Sequence, residues 1–392
     1  MYNTMSRKKE EFRSLEPGKV TMFVCGPTVQ GPMHLGHART YSFYDMMARY
    51  LSSMGWEVDF LMNITDVDER ITTSARESHA DPKSLASKFR RSFLADLKSL
   101  GISTVTRFEA VSKRIDEAIR QVSSLVDHGF AYVVDGWVYF DTDKFPRFGE
   151  LSRQSRAQLA LRPLELSRNK RNPIDFSLWR PEVLIRGRWN SPWGLGSPGW
   201  HIQDTAVTLS VFGPQYDIHG GAYELIYPHH EAEIAQGESM TGVAPMVKYW
   251  VHTHLLTMAG EKMSKSKGNV CTVRDAMKKY SADDLRFYFL LTHYREDMDL
   301  SGLSAASLRL RRLKRKLRSE AQGNGEASDY AAVLGPFCRA MNNDFDTPSA
   351  VRCLEVLAEK GSQEKDAEKA SMITGAVIQS LKTLGVLHFG ST

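Results

Sequence analysis

A short apolar run that halts at turn formers, followed at once by a long amphipathic helix, constrains this chain more than any other feature. Val20, Met22, Phe23 and Val24 form the run, and Cys25, Gly26 and Pro27 stop it, as turn formers stop a buried strand. From Gly36 onward Phe43, Met46, Met47, Tyr50, Leu51 and Met54 recur at helical spacing, and Gly55 follows as a C-terminal cap. Val58, Phe60, Met62 and Ile64 then alternate with other residues, the period of a second strand. Strand, helix, strand implies a right-handed parallel crossover, and such sheets bind nucleotides beyond the carboxyl ends of their strands. The predicted class is therefore α/β, with a nucleotide site just after the first strand.

His34, Leu35, Gly36 and His37 occupy that place, at the start of the helix. Backbone N–H groups and the positive helix end favour phosphate there, and Gly36 lets a nucleotide approach the backbone. Two imidazoles can donate hydrogen bonds to a developing pentavalent phosphate. Taken alone, two such histidines are also what a helix terminus uses to satisfy its own backbone. A second signal decides between the readings. Far downstream, Gly260 to Asn269 carries Lys262, Lys265 and Lys267 separated by small polar residues and flanked by Gly260 and Gly268. Such a run suits a loop that closes over a triphosphate and neutralises its charge.

These two segments, H-x-G-H and Lys262-Met263-Ser264-Lys265-Ser266, resemble the paired signatures of the class I aminoacyl-tRNA synthetases. The wider match resembles the cysteinyl-tRNA synthetases. Phe23-Val24-Cys25-Gly26-Pro27-Thr28-Val29 leads into the first signature and Asn63-Ile64-Thr65-Asp66-Val67-Asp68 ends the second strand. Gly199-Trp200-His201-Ile202, Asp217-Ile218-His219-Gly220-Gly221 and Pro228-His229-His230-Glu231-Ala232-Glu233 complete the pattern. The resemblance implies a Rossmann-like parallel-sheet catalytic domain with an inserted connective domain and a C-terminal α-helical bundle. The expected divisions are 1–106 and 199–258 for the two catalytic halves, 107–198 for the insertion, 259–304 for the lysine loop and stem-contact region, and 305–392 for the bundle.

By the same resemblance, ATP with Mg2+ is bound by His34, Gly36, His37 and Lys265. His34 and His37 stabilise the reacting phosphate, while Lys262 and Lys265 stabilise the leaving pyrophosphate. Cys25, Thr65, Trp200 and His219 stand where the family contacts its amino acid. Zinc is expected on Cys25, Asp204, His229 and Glu233. Zinc answers a physical problem, because cysteine and serine differ by one atom and a pocket that senses only size separates them poorly. Asp204 departs from the family, which has a second cysteine there. Two outcomes compete: zinc is kept with altered affinity, or the metal is lost and the substrate is no longer cysteine. Survival of Cys25, His229 and Glu233 favours retention. His229 and Glu233, four apart, would share a helix face.

The expected partners are cysteine and the acceptor stem of tRNA. Arg309, Arg311, Arg312, Lys314, Arg315, Lys316 and Arg318, packed into the helix from Ala305 to Glu320, offer a rail for phosphates or simply a solvated face. The family's small anticodon-reading module is not found after Leu387. A cysteine ligase acting on an amino-sugar acceptor, of the mycothiol-pathway type, and a non-catalytic paralogue are therefore the competing readings. The net charge of +5 on 392 residues does not by itself demand a polyanionic partner. Four scattered cysteines imply reduced thiols. The lack of an apolar signal or spanning segment leads to a cytoplasmic location without membrane contact, and the chain is expected to be a monomer.

Overall fold

The computed structural model describes residues 1–161, 169–181, 189–263, 268–318 and 333–387. At its centre lie five parallel strands, β1 (Lys19–Val24), β2 (Glu57–Ile64), β3 (Arg107–Ala110), β4 (Tyr216–Ala222) and β5 (Val247–Thr253), in the spatial order β5-β4-β1-β2-β3. The chain moves outward from β1 through β2 to β3 and then returns to the other side of β1. Strand order therefore reverses between β1 and β4, which opens a crevice at their carboxyl ends.

The two-residue period of β1 divides its side chains between two cores. Val20, Met22 and Val24 pack under the helix α1 (Leu35–Ser53). Phe23, and Cys25 just beyond the strand, enter the opposite core beneath α2 (Trp200–Phe212) and α3 (Glu231–Thr241). The thiol of Cys25 is thus aimed at the face that carries Asp204 and Glu233, a consequence of strand parity alone.

Between β3 and α2 lies an antiparallel sheet of Ala131–Val134, Trp137–Phe140, Phe176–Arg180 and Ser197–Pro198. The expected start of this insertion at residue 107 needs correction, because Arg107–Ala110 pairs with Leu61–Ile64 as the edge strand of the central sheet. Four residues are too few for periodicity to reveal a strand.

Five helices close the molecule: α4 (Ala282–Leu290), α5 (Leu303–Arg318), α6 (Gly335–Asn342), α7 (Thr347–Gln363) and α8 (Ala367–Thr383). Helix α5 buries Leu303, Ala306, Leu310, Leu313 and Leu317, and Glu320 of the expected helix lies outside the described residues. Its cations serve two purposes. Arg309 and Lys316 pair with Glu355 and Glu359 of α7, and Lys314 pairs with Asp283 of α4, whereas Arg311, Arg312 and Arg315 stay exposed. A buried ion pair joins α4 to α1: Arg286 Nη2 lies 2.5 Å from Asp45 Oδ2, which also takes Arg49 at 2.8 Å. Among the described residues, no helix is long and apolar enough to cross a membrane.

Candidate active site

The crevice at the strand reversal is a cleft of about 360 Å3 lined from both halves of the sheet. Cys25 and Thr65 come from strand ends, His34, Gly36 and His37 from the start of α1, Trp200 and Asp204 from α2, His229 from the turn before α3, and Lys262 from the opposite rim. The two histidine positions and the first lysine of the distant signature thus face one space. Lys265 lies outside the described residues.

His34 caps α1, its Nδ1 accepting the backbone N–H of His37 at 3.4 Å, and the two rings stack 3.8 Å apart. A Cβ at Gly36 would come within 3.0 Å of the His34 ring, so glycine allows this stack as well as close approach from the cleft. Burial, with a smaller effect of His34, holds His37 well below the usual imidazole range, and its buried Nδ1 lacks a hydrogen-bond partner. Lys262 pairs with Glu224 across the cleft mouth.

Beneath this nucleotide-sized space lies a buried cluster. Cys25 Sγ is 3.3 Å from Asp204 Oδ2, and Asp204 Oδ2 is 3.1 Å from His229 Nε2. Glu233 Oε1 is 3.0 Å from the same His229 nitrogen. One imidazole N–H cannot serve both carboxylates, and Glu233 has neither oxygen in a hydrogen bond although the side chain is wholly buried. Burial alone would lower His229, but Glu233 and Asp204 outweigh it and raise it to about 9. Burial raises Glu233 to about 7. An orphaned buried carboxylate beside a thiol, an imidazole and a second carboxylate is the chemistry of a cation site. Asp204 is held in place by Asn63, whose Nδ2 donates to Oδ1 at 2.7 Å.

The helical spacing of His229 and Glu233 was legible in sequence, although α3 begins only at Glu231 and His229 sits in the turn Ile226–His230 that leads into it. Trp200 stacks on His229 with centroids 4.2 Å apart, and the Arg70 guanidinium lies 4.9 Å from its ring. Thr65 is buried at the cleft wall. His219 lies below the cleft, its Nε2 3.4 Å from Cys25 Sγ and 3.6 Å from Glu233 Oε2. Sequence reasoning missed His230, whose Nε2 is 3.2 Å from Cys25 Sγ and which shares the 4.8 Å neighbourhood of Cys25, His229 and Glu233. Its place beside His229 was the available signal. Asn63 was also missed, though it stands two residues before Thr65.

The insertion holds α3 in place. Glu231 accepts N–H bonds from Gly149 and Ser152 at 2.8 Å each, and Arg147 pairs with Glu238 one helix face along.

A parallel sheet with a phosphate-ready helix end and a facing lysine rim defines a class I tRNA synthetase, and the model for the class I (C) tRNA synthetase catalytic domain matches residues 11–307. A cysteine–tRNA ligase of Thermoplasma acidophilum is 43% identical over 377 residues, which cover 94% of this chain and 83% of that protein. One from Thermococcus onnurineus is 44% identical, covering 90% and 78%. The chain belongs to the cysteinyl-tRNA synthetase family. Solved structures agree on the fold: the Agrobacterium radiobacter leucyl enzyme in a ternary complex has a TM-score of 0.68 at 12% identity, covering 95% of this chain and 84% of that one. Mycobacterium tuberculosis methionyl-tRNA synthetase bound to methionyl-adenylate gives 0.64 at 16% identity, covering 93% and 89%.

Proposed function

We propose that this chain activates cysteine with ATP to cysteinyl-adenylate and transfers the cysteinyl group to tRNA. The observation that carries the reading is the stacking, in one cleft, of a phosphate-binding helix end directly above a thiol-centred cluster. Cys25, Asp204, His229 and Glu233 would hold zinc, and their donor set fits it because the Glu233 carboxylate is buried without a hydrogen bond. When bound, the ion supplies a thiophilic contact that separates a thiol from a hydroxyl.

The remaining work falls to the chain's own groups. His34 and His37 donate to the α-phosphate of ATP-Mg2+ as the amino-acid carboxylate attacks it in line. Lys262, released from Glu224, joins Lys265 on the departing pyrophosphate. Trp200 and Thr65 shape the amino-acid pocket. The terminal ribose hydroxyl of tRNA then attacks the adenylate carbonyl without a side-chain nucleophile. Arg311, Arg312 and Arg315, the exposed cations of α5, are suited to phosphates of the acceptor limb. Exchange of pyrophosphate into ATP, measured with each amino acid, tests the reading. Cysteine alone is expected to support it, and equal rates with serine would reject it.

A further inference from the structure

Two chains of buried hydrogen bonds converge on the sulfur of Cys25, and each begins at a hydroxyl. In the first, Thr4 Oγ1 lies 2.8 Å from His252 Nδ1, His252 Nε2 lies 2.8 Å from His230 Nδ1, and His230 Nε2 lies 3.2 Å from Cys25 Sγ. In the second, Tyr216 Oη lies 2.7 Å from His219 Nδ1, and His219 Nε2 lies 3.4 Å from Cys25 Sγ. Thr4 reaches the site from the N-terminal hairpin formed by Tyr2–Asn3 and Lys8–Lys9, which no motif of the sequence ties to the chemistry.

The direction of every bond follows from proton counting. A thiol has one proton, and the Asp204 carboxylate, which only accepts, receives it at 3.3 Å. Sulfur therefore meets both facing imidazole nitrogens as an acceptor, and it does so even more strongly as a thiolate. His230 and His219 must each carry a proton on Nε2. Burial keeps His219, His230 and His252 below the usual imidazole range, so each ring holds a single proton. With Nε2 protonated, Nδ1 of each ring accepts. His230 Nδ1 takes the Nε2 proton of His252, His252 Nδ1 takes the Thr4 hydroxyl, and His219 Nδ1 takes the Tyr216 hydroxyl.

We infer that Thr4 and Tyr216 are positioning residues that lock three histidines in one tautomer, so that two N–H groups always point at the Cys25 sulfur. Donated hydrogen bonds withdraw charge from sulfur and fix its lone pairs, which sets how strongly it competes with an incoming substrate thiol for the same partner. The inference rests on the cysteine reading for its consequence but not for its geometry.

Its test uses the full-length protein with 15N-labelled histidine. Long-range 15N–1H spectra at neutral pH, assigned by single histidine replacements, should report His219, His230 and His252 all protonated at Nε2. Thr4→Val removes the donor with little change of shape. The KM for cysteine in the exchange reaction should rise about tenfold, the typical loss for an outer-shell partner, while the KM for ATP stays within twofold. Thr4→Ser should restore both. Tyr216→Phe should act in the same direction through His219. A wild-type His252 protonated at Nδ1, an unchanged cysteine KM in Thr4→Val, or parallel losses for cysteine and ATP would each overturn the inference. Loss of exchange with cysteine in the unaltered protein would instead refute the proposed function and leave the tautomers to be judged by the spectra alone.

Discussion

Asp204→Asn changes one atom and removes one charge, and the surroundings determine how the new amide must sit. Asn63 cannot turn to accommodate it, because its Oδ1 already accepts the Gly26 N–H at 2.6 Å, which leaves Nδ2 facing residue 204. The carbonyl oxygen of the substituted side chain must therefore take the place of Asp204 Oδ1, and the amide nitrogen takes that of Oδ2. That nitrogen has no lone pair to offer, yet it would stand 3.1 Å from His229 Nε2 and 3.3 Å from Cys25 Sγ, where the carboxylate oxygen stood. A metal ion would keep Cys25, His229 and Glu233 and lose its fourth protein ligand. Loss of an outer-shell partner costs about 10- to 100-fold in metal affinity, so loss of a direct ligand should cost at least about 100-fold, or about 2.8 kcal/mol. Competition against a chromogenic zinc chelator at neutral pH measures this directly, with thermal melting of the metal-free proteins as the control for folding. Asp204→Cys should move affinity the other way, most of all for cadmium. A zinc affinity in Asp204→Asn within about threefold of the parent would refute the ligand role and transfer it to His230, the remaining donor in the cluster.

Three further outcomes are expected. Glu224→Gln frees Lys262 from an exposed ion pair worth about 0.2–1 kcal/mol, so the KM for ATP should fall by roughly 1.4- to 5-fold; a rise would show that Glu224 itself assists the nucleotide. Arg286→Met leaves Asp45 buried beside Arg49 alone and should cost about 3 kcal/mol in denaturant unfolding, with an unchanged midpoint counting against the pair. Burial raises Asp45, but Arg286 and Arg49 outweigh it and bring its carboxyl from 3.8 to about 2. A depressed carboxylate contributes its stability above its unfolded value and loses it as pH falls through the folded one. About 2 kcal/mol should therefore disappear between pH 4 and pH 2, and Arg286→Met should flatten that slope.

The parts of the site that could be read in sequence are those whose meaning is local. The strand, turn and helix from Val20 to Met54 announced themselves by periodicity, and the cap glycine at position 55 indeed takes a positive φ of 90°. His34, Gly36 and His37 follow from where a helix begins, and Cys25 from where a strand stops. Strand order carries no such local trace: nothing in residues 216–253 says that β4 and β5 return to the far side of β1, and that return is what makes the crevice. The contributions of Thr4, Asn63 and His252 depend on contacts across tens to hundreds of residues, so no spacing reports them. The basic run of α5 was misleading for the opposite reason. Its charges were visible, but Glu355, Glu359 and Asp283, which bind three of them, belong to other helices.

The grip of the Gly149–Ser152 turn on Glu231 limits how this architecture can be rearranged. Removing the insertion would strand a negative charge in an apolar interior two residues from Glu233, so the deletion would loosen the thiol-sensing chemistry rather than merely trim the outline. A chimaera that borrowed its insertion from a related enzyme would have to import a turn with the same backbone N–H groups, or replace Glu231 with a neutral side chain at the same time. The appendage and the catalytic floor are thus a single inheritable unit, although the chain visits them as separate chapters.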